Sequence, residues 1–178
     1  MSVQERSYPT RLGRWPDDEH KMLLAGFLDG KTVCDVGCGV GRVADIIPPD
    51  RYVGIDIDEE ALERARHDHP DHAFREDIGG PYPGTDICLF QTVLQHIPDD
   101  KLGGLLARTK GNVLIVEYMH PWLRGPKKKN AHHRSRLDYI AAMRGLFGSK
   151  ETMAWHMPTK YQVHPKRTMS LSFLEILK

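Results

Sequence analysis

The feature that most restricts this chain lies at residues 32–41, Thr-Val-Cys-Asp-Val-Gly-Cys-Gly-Val-Gly, where a short apolar run passes straight into alternating glycines. The run predicts a buried strand. A turn built on Gly37, Gly39 and Gly41 lets the backbone approach a ligand where side chains would collide. Val43, Ala44, Ile46 and Ile47 then predict a short helix that Pro48 and Pro49 end. The alternation continues with strands predicted at 52–56, 73–74, 86–90 and 112–117, and helices at 59–66 and 99–107. Apolar strands alternating with helices imply an α/β fold whose mostly parallel sheet is covered on both faces.

The flanks follow other rules. Pro16, Asp17 and Asp18 mark a helix start, Met22, Leu23, Leu24, Phe27 and Leu28 recur at helical spacing, and Gly30 stops the helix. After Glu117 the rhythm gives way to a polar, basic loop over 119–134. Ser135 and Asp138 form a capping box for a helix through Leu137, Ile140, Met143 and Phe147, closed by Gly148. Strand-like segments at 153–157 and 169–177 predict a closing antiparallel hairpin. The 178 residues suit one domain: an N-terminal lid and helix at 1–30, a core at 31–118, and the loop, helix and hairpin at 119–178.

Composition narrows the classes. No apolar run approaches the ~18 residues of a membrane span, and the N-terminus lacks a signal-peptide layout. Cys34, Cys38 and Cys88 form no CxxC pair, so a disulfide framework and a zinc site are not expected and a cytoplasmic setting is. The net charge of +1 conceals a division. Residues 1–100 hold 10 Lys and Arg against 20 Asp and Glu, a balance of −10, and residues 101–178 hold 15 against 4, a balance of +11. Such asymmetry points to an anionic partner if the basic part lies near a site.

Two classes of nucleotide ligand could use the glycine turn. A dinucleotide fingerprint needs a third small residue, and the sequence puts Arg42 there. The pattern Asp35-x-Gly37-x-Gly39-x-Gly41 instead resembles the first motif of the class I S-adenosylmethionine (SAM)-dependent methyltransferases. Three further stations at predicted strand ends extend the resemblance over residues 31–118: Gly54-Ile55-Asp56, Asp77-Ile78, and residues 86–97, which include Gln91, Thr92 and His96. The resemblance implies a Rossmann-like doubly wound fold and SAM as cofactor, with S-adenosylhomocysteine (SAH) as product. It places Asp35, Gly37, Cys38, Gly39 and Gly41 beneath the methionine part, Asp56 and Ile57 at the ribose, Asp77 and Ile78 at the adenine, and Gln91 and Thr92 at the methionine end. Arg14, in a segment that often forms a lid in the family, would pair with the methionine carboxylate.

Methyl transfer needs the acceptor held in line and, where the acceptor carries a proton, a nearby base. His96, Glu117, Tyr118 and His120 are the candidate bases, and Glu117 and His120 lie at the carboxyl edge of the sheet, where open α/β folds bind ligands. The basic loop leaves that same edge. Trp122, Arg124, Lys127, Lys128, His132, Arg134 and Arg136 are therefore candidate contacts for a phosphate, carboxylate or nucleic-acid backbone. Gln91-Thr92 stands where the base-amino DNA methylases carry Pro-Pro, no Pro-Cys pair offers the cytosine-C5 nucleophile, and no metal is expected. The expected activity is O- or N-methylation of a small anionic acceptor. An RNA methyltransferase using the 124–136 loop and a non-catalytic SAM-binding partner subunit are the alternatives.

Overall fold

A computed structural model describes residues 18–119, 131–148, 152–164 and 167–176, with side chains described up to 148 except at Phe147. The described elements are α1 (Asp18–Leu28), β1 (Val33–Val36), β2 (Tyr52–Asp56), α2 (Glu59–Asp68), β3 (Ala73–Glu76), β4 (Ile87–Gln91), α3 (Asp99–Leu106), β5 (Asn112–Met119), α4 (Arg136–Phe147), β6 (Thr152–His164) and β7 (Arg167–Ile176). The predicted helix after the glycines is a 3-10 turn, Arg42–Ile46. Its four apolar positions lie before two prolines, which leave no room for a longer helix.

The strand order is β3-β2-β1-β4-β5-β7-β6, and the first five strands run parallel. β7 lies antiparallel on β5, and β6 antiparallel on β7. Chain direction across the sheet reverses between β1 and β4. Such a switch point opens a crevice at the strands' carboxyl ends.

Strand parity builds two cores. Val33, Ile87, Leu89, Leu114 and Val116 face α1, α2 and the Arg42–Ile46 turn, meeting Leu24, Leu28, Val43 and Leu62. Cys34, Val36, Cys88, Phe90, Val113 and Ile115 face the opposite way onto Leu102 and Leu106 of α3 and Tyr139, Ile140 and Met143 of α4. Both strand faces are thus buried, which is why β1 and β4 do not alternate: β1 is apolar except for Asp35, and β4 is apolar up to Gln91. The box on α4 is present on both sides: Ser135 Oγ accepts from the Asp138 N–H, and the Asp138 carboxylate accepts from the Ser135 N–H. Gly148 closes that helix in the left-handed region, at φ 60°. No described helix is long and apolar enough to cross a membrane.

Candidate functional site

A cavity of about 400 Å³ opens at the switch point. Its walls come from β1 and the glycine turn, the end of β2, the loop after β3, and the turn after β4. Asp35, Gly37, Cys38, Gly39, Asp56, Ile57, Asp77, Gln91, Thr92 and His96 all line it. Gly41 and Ile78 do not: Gly41 is buried behind the turn, and Ile78 stands outside at 88% exposure.

The turn has the shape its glycines allow. Gly37 has φ +73°, and a Cβ there would lie 2.5 Å from a Val93 methyl carbon. The turn is strapped down by Gly37 and Cys38, whose N–H groups donate to the Ile55 carbonyl at 2.7 and 3.1 Å. Across the crevice, Thr92 is the only described non-glycine residue at positive φ, 56°. A β-branched residue there is strained, and such strain clusters at ligand sites.

Each cavity acid has a distinct environment. Asp56 accepts from the Gly39 N–H at 2.7 Å through one oxygen and from the Asp58 N–H at 3.0 Å through the other. Asp77 accepts from the Gly79 N–H and from Arg108 on Oδ1, and from the Tyr82 hydroxyl on Oδ2. The Arg108 guanidinium and these neighbours outweigh the desolvation of Asp77 and hold its carboxyl below the ordinary range. Asp35 is 1% exposed, and burial, tempered by the Tyr52 hydroxyl at 2.9 Å and by Arg42, pushes its pKa up to about 7. Burial and the neighbouring acids push the Cys38 thiol far up, so it is a packing group rather than a nucleophile.

The acceptor side differs from expectation most at two buried positions. Glu117 is 1% exposed and lies outside the cavity wall. It shares a strand face with Val113, Ile115 and Met119, and so points under α4 rather than toward the crevice. There it accepts from the Gln95 N–H at 3.2 Å, and burial raises its pKa to about 8. Arg134 is also 1% exposed. Its guanidinium donates to the Leu94 carbonyl at 2.7 Å, the Ile97 carbonyl at 2.6 Å and the Asp99 carboxylate at 2.8 Å. Glu117 takes an amide of the turn after β4 and Arg134 takes its carbonyls. The pair therefore fixes the segment that carries His96, and neither residue presents its charge to the cavity.

His96 is exposed and lines the cavity. The His132 N–H donates to the Gln95 carbonyl at 2.6 Å, and neither His132 nor Arg136 lines the cavity. Arg14, His120, Trp122, Arg124, Lys127 and Lys128 lie outside the described residues. Sequence reasoning missed four contributors. Arg42 and Tyr82 line the cavity, Arg108 supports Asp77, and buried His20 places Nε2 2.8 Å from Gln91 Nε2, tying α1 to the end of β4. Only Arg42 carried a signal, since it follows the last glycine of the turn.

Residues 28–102 match a family model described as a methyltransferase domain. The ubiquinone biosynthesis O-methyltransferase of Bordetella parapertussis is 31% identical over 102 residues, covering 51% of this chain and 40% of the relative. The chain thus spans 40% of the length of that curated relative, and the same share of its Bordetella bronchiseptica counterpart. Among solved structures, a SAM-dependent methyltransferase of Methanosarcina mazei superposes with TM-score 0.64 at 16% identity, covering 93% of this chain and 98% of its own. The magnesium protoporphyrin IX methyltransferase of Synechocystis, solved with SAH, gives 0.63 at 16% identity, covering 100% and 90%. Residues 28–102 are thus similar to a methyltransferase domain, and the fold is that of solved SAM-dependent methyltransferases.

Proposed function

We propose that this chain binds SAM in the switch-point cavity and transfers its methyl group to an oxygen or nitrogen of a small anionic acceptor. The observation that carries the reading is the charge of one cavity. Asp35, Asp56 and Asp77 line it, and Arg42 is the only lysine or arginine among its described lining residues. That wall suits a cationic ligand and opposes the pyrophosphate of a dinucleotide.

The residues present fit the cofactor. A carboxylate offers about four acceptor positions. Asp56 has two filled by backbone N–H groups, so two remain for the two hydroxyls of a ribose. Exposed Ile57 offers an apolar edge beside them. Asp35, at the foot of the glycine turn, gains charge most readily when a cation lies beside it. SAM supplies an electrophilic methyl on a sulfonium. The protein's part is to hold the acceptor in line, to exclude water and to take a proton where the acceptor bears one. His96 is the candidate base, because it lines the cavity and Glu117 does not. The O-methyltransferase relatives support transfer to an oxygen, and the basic balance of residues 101–178 supports an anionic acceptor. Burial of Arg134 removes one cation from the phosphate-backbone reading of residues 124–136.

Calorimetric titration tests this directly. SAM and SAH are expected to bind, NAD is not, and Asp56→Ala is expected to weaken SAM roughly tenfold or more through loss of charge-assisted bonds. NAD binding without SAM binding would overturn the reading. A labelled-methyl screen of small-molecule extracts then identifies the acceptor, and one labelled product whose formation stops in Asp56→Ala is the expected result.

A further inference from the structure

We infer that Arg108, which does not line the cavity, is the positioning residue that makes the site selective for a 6-amino purine over a 6-oxo purine. This inference rests on the SAM reading above and adds to it the source of base selectivity. Asp77 opens the loop that follows β3 and lines the cavity, and its side chain is 9% exposed. Three of its roughly four acceptor positions are filled, by the Gly79 N–H at 2.9 Å, by Arg108, and by the Tyr82 hydroxyl at 3.2 Å. One position remains, on Oδ2. A single leftover acceptor matches one N–H of an exocyclic amine and repels the carbonyl oxygen of an oxo-purine.

Arg108 keeps that count at one. Its Nε donates to the Gly80 carbonyl at 2.7 Å, its Nη2 bonds Asp77, and its guanidinium lies 4.2 Å over the Tyr82 ring. Its own carbonyl accepts from the Tyr82 N–H at 3.0 Å. Four contacts from one residue thus tie the loop 77–82 to the end of α3, 31 residues away in sequence from Asp77. With Arg108 gone, the carboxylate gains a second open position and freedom to rotate. It can then avoid an oxo group by swinging away. A lysine would keep the charge without the planar fork that reaches both Gly80 and Asp77.

The test compares SAH with S-inosylhomocysteine by calorimetry on the full chain, with circular dichroism to confirm folding. Wild-type protein is expected to prefer SAH roughly tenfold or more, the value of one charge-assisted bond. Arg108→Gln should bring the ratio below about threefold, and Arg108→Lys should fall between. Were both ligands weakened equally, with the ratio unchanged in the two variants, Arg108 would be only a structural tie and the inference would be wrong. Wild-type protein that binds neither ligand would instead overturn the SAM reading, and this role with it. If Arg108→Gln fails to fold, the ratio in Arg108→Lys decides alone.

Discussion

The two sides of the switch point treat their charged residues in opposite ways. On the β1–β2–β3 side, Asp35, Asp56 and Asp77 line the cavity, and two of them keep acceptor positions open after their backbone and side-chain partners are counted. On the β4–β5 side, Glu117 and Arg134 are sealed away and brace the turn between Leu94 and Ile97. Both sides place ionisable groups at the carboxyl edge of one sheet. The first side presents carboxylates to a ligand, whereas the second presents only the imidazole of His96 among its described ionisable groups. Position at the functional edge is therefore a weaker guide than strand parity, because alternate residues at that edge face opposite layers.

Removing the brace gives the largest expected effect. Arg134→Ala strands two carbonyls, an Asp99 contact and the charge balance of Glu117, and is expected to cost roughly 3 kcal/mol in denaturant unfolding. SAM affinity of the folded fraction should change less than about threefold, since Arg134 touches no cavity residue except through backbone. A large loss of SAM affinity with unchanged stability would place Arg134 on the cavity side after all and break the comparison.

How much of this was legible follows from the range of the interactions. The glycine turn, the alternation of apolar strands with helices and the Ser135–Asp138 box are local patterns, and the elements they predict are present apart from the helix after the glycines, which is a 3-10 turn. The station acids at 35, 56 and 77 lie at or next to the carboxyl ends of β1, β2 and β3, so their arrival at one cavity needed only the parallel topology. Tyr52 on Asp35, Arg108 on Asp77 and His20 on Gln91 join residues 17, 31 and 71 positions apart, and no periodicity encodes such pairs. Glu117 is the instructive miss. Its parity with Val113, Ile115 and Met119 was present in the sequence and pointed inward, but its place at a strand end suggested a catalytic group.

The next effect in size separates the two sides through one close contact. A Cβ at Gly37 would sit 2.5 and 2.9 Å from the two Val93 methyl carbons, and Gly37 has φ +73°. Gly37→Ala is expected to lower stability by about 2 kcal/mol, combining overpacking with left-handed strain, and to weaken SAM roughly tenfold as the turn shifts. Adding Val93→Ala opens the space and should recover part of both losses, leaving the φ strain. Equal losses in the single and double variants would show that the crevice walls do not meet at this pair.

The smallest effect distinguishes the two buried acids by pH. Both have pKa values raised by burial, to about 7 for Asp35 and about 8 for Glu117. A carboxyl raised in the folded state holds its proton after the unfolded chain has lost it. Stability is therefore undiminished at acid pH, falls as pH rises toward the folded value, and levels off above it. Both acids should make the protein less stable at pH 8 than at pH 5, and Glu117→Gln should flatten that decline without altering SAM affinity. Asp35 has a second readout because it lines the cavity. A cationic ligand favours its ionised form, so SAM binding near pH 6.5 should release a fraction of a proton, and affinity should rise about threefold between pH 6 and 7.5. Calorimetry in two buffers of different ionisation enthalpy measures the release directly. Asp35→Asn should abolish it and Glu117→Gln should not. The opposite pattern would mean that Glu117, from the far face of β5, senses the ligand and that Asp35 does not.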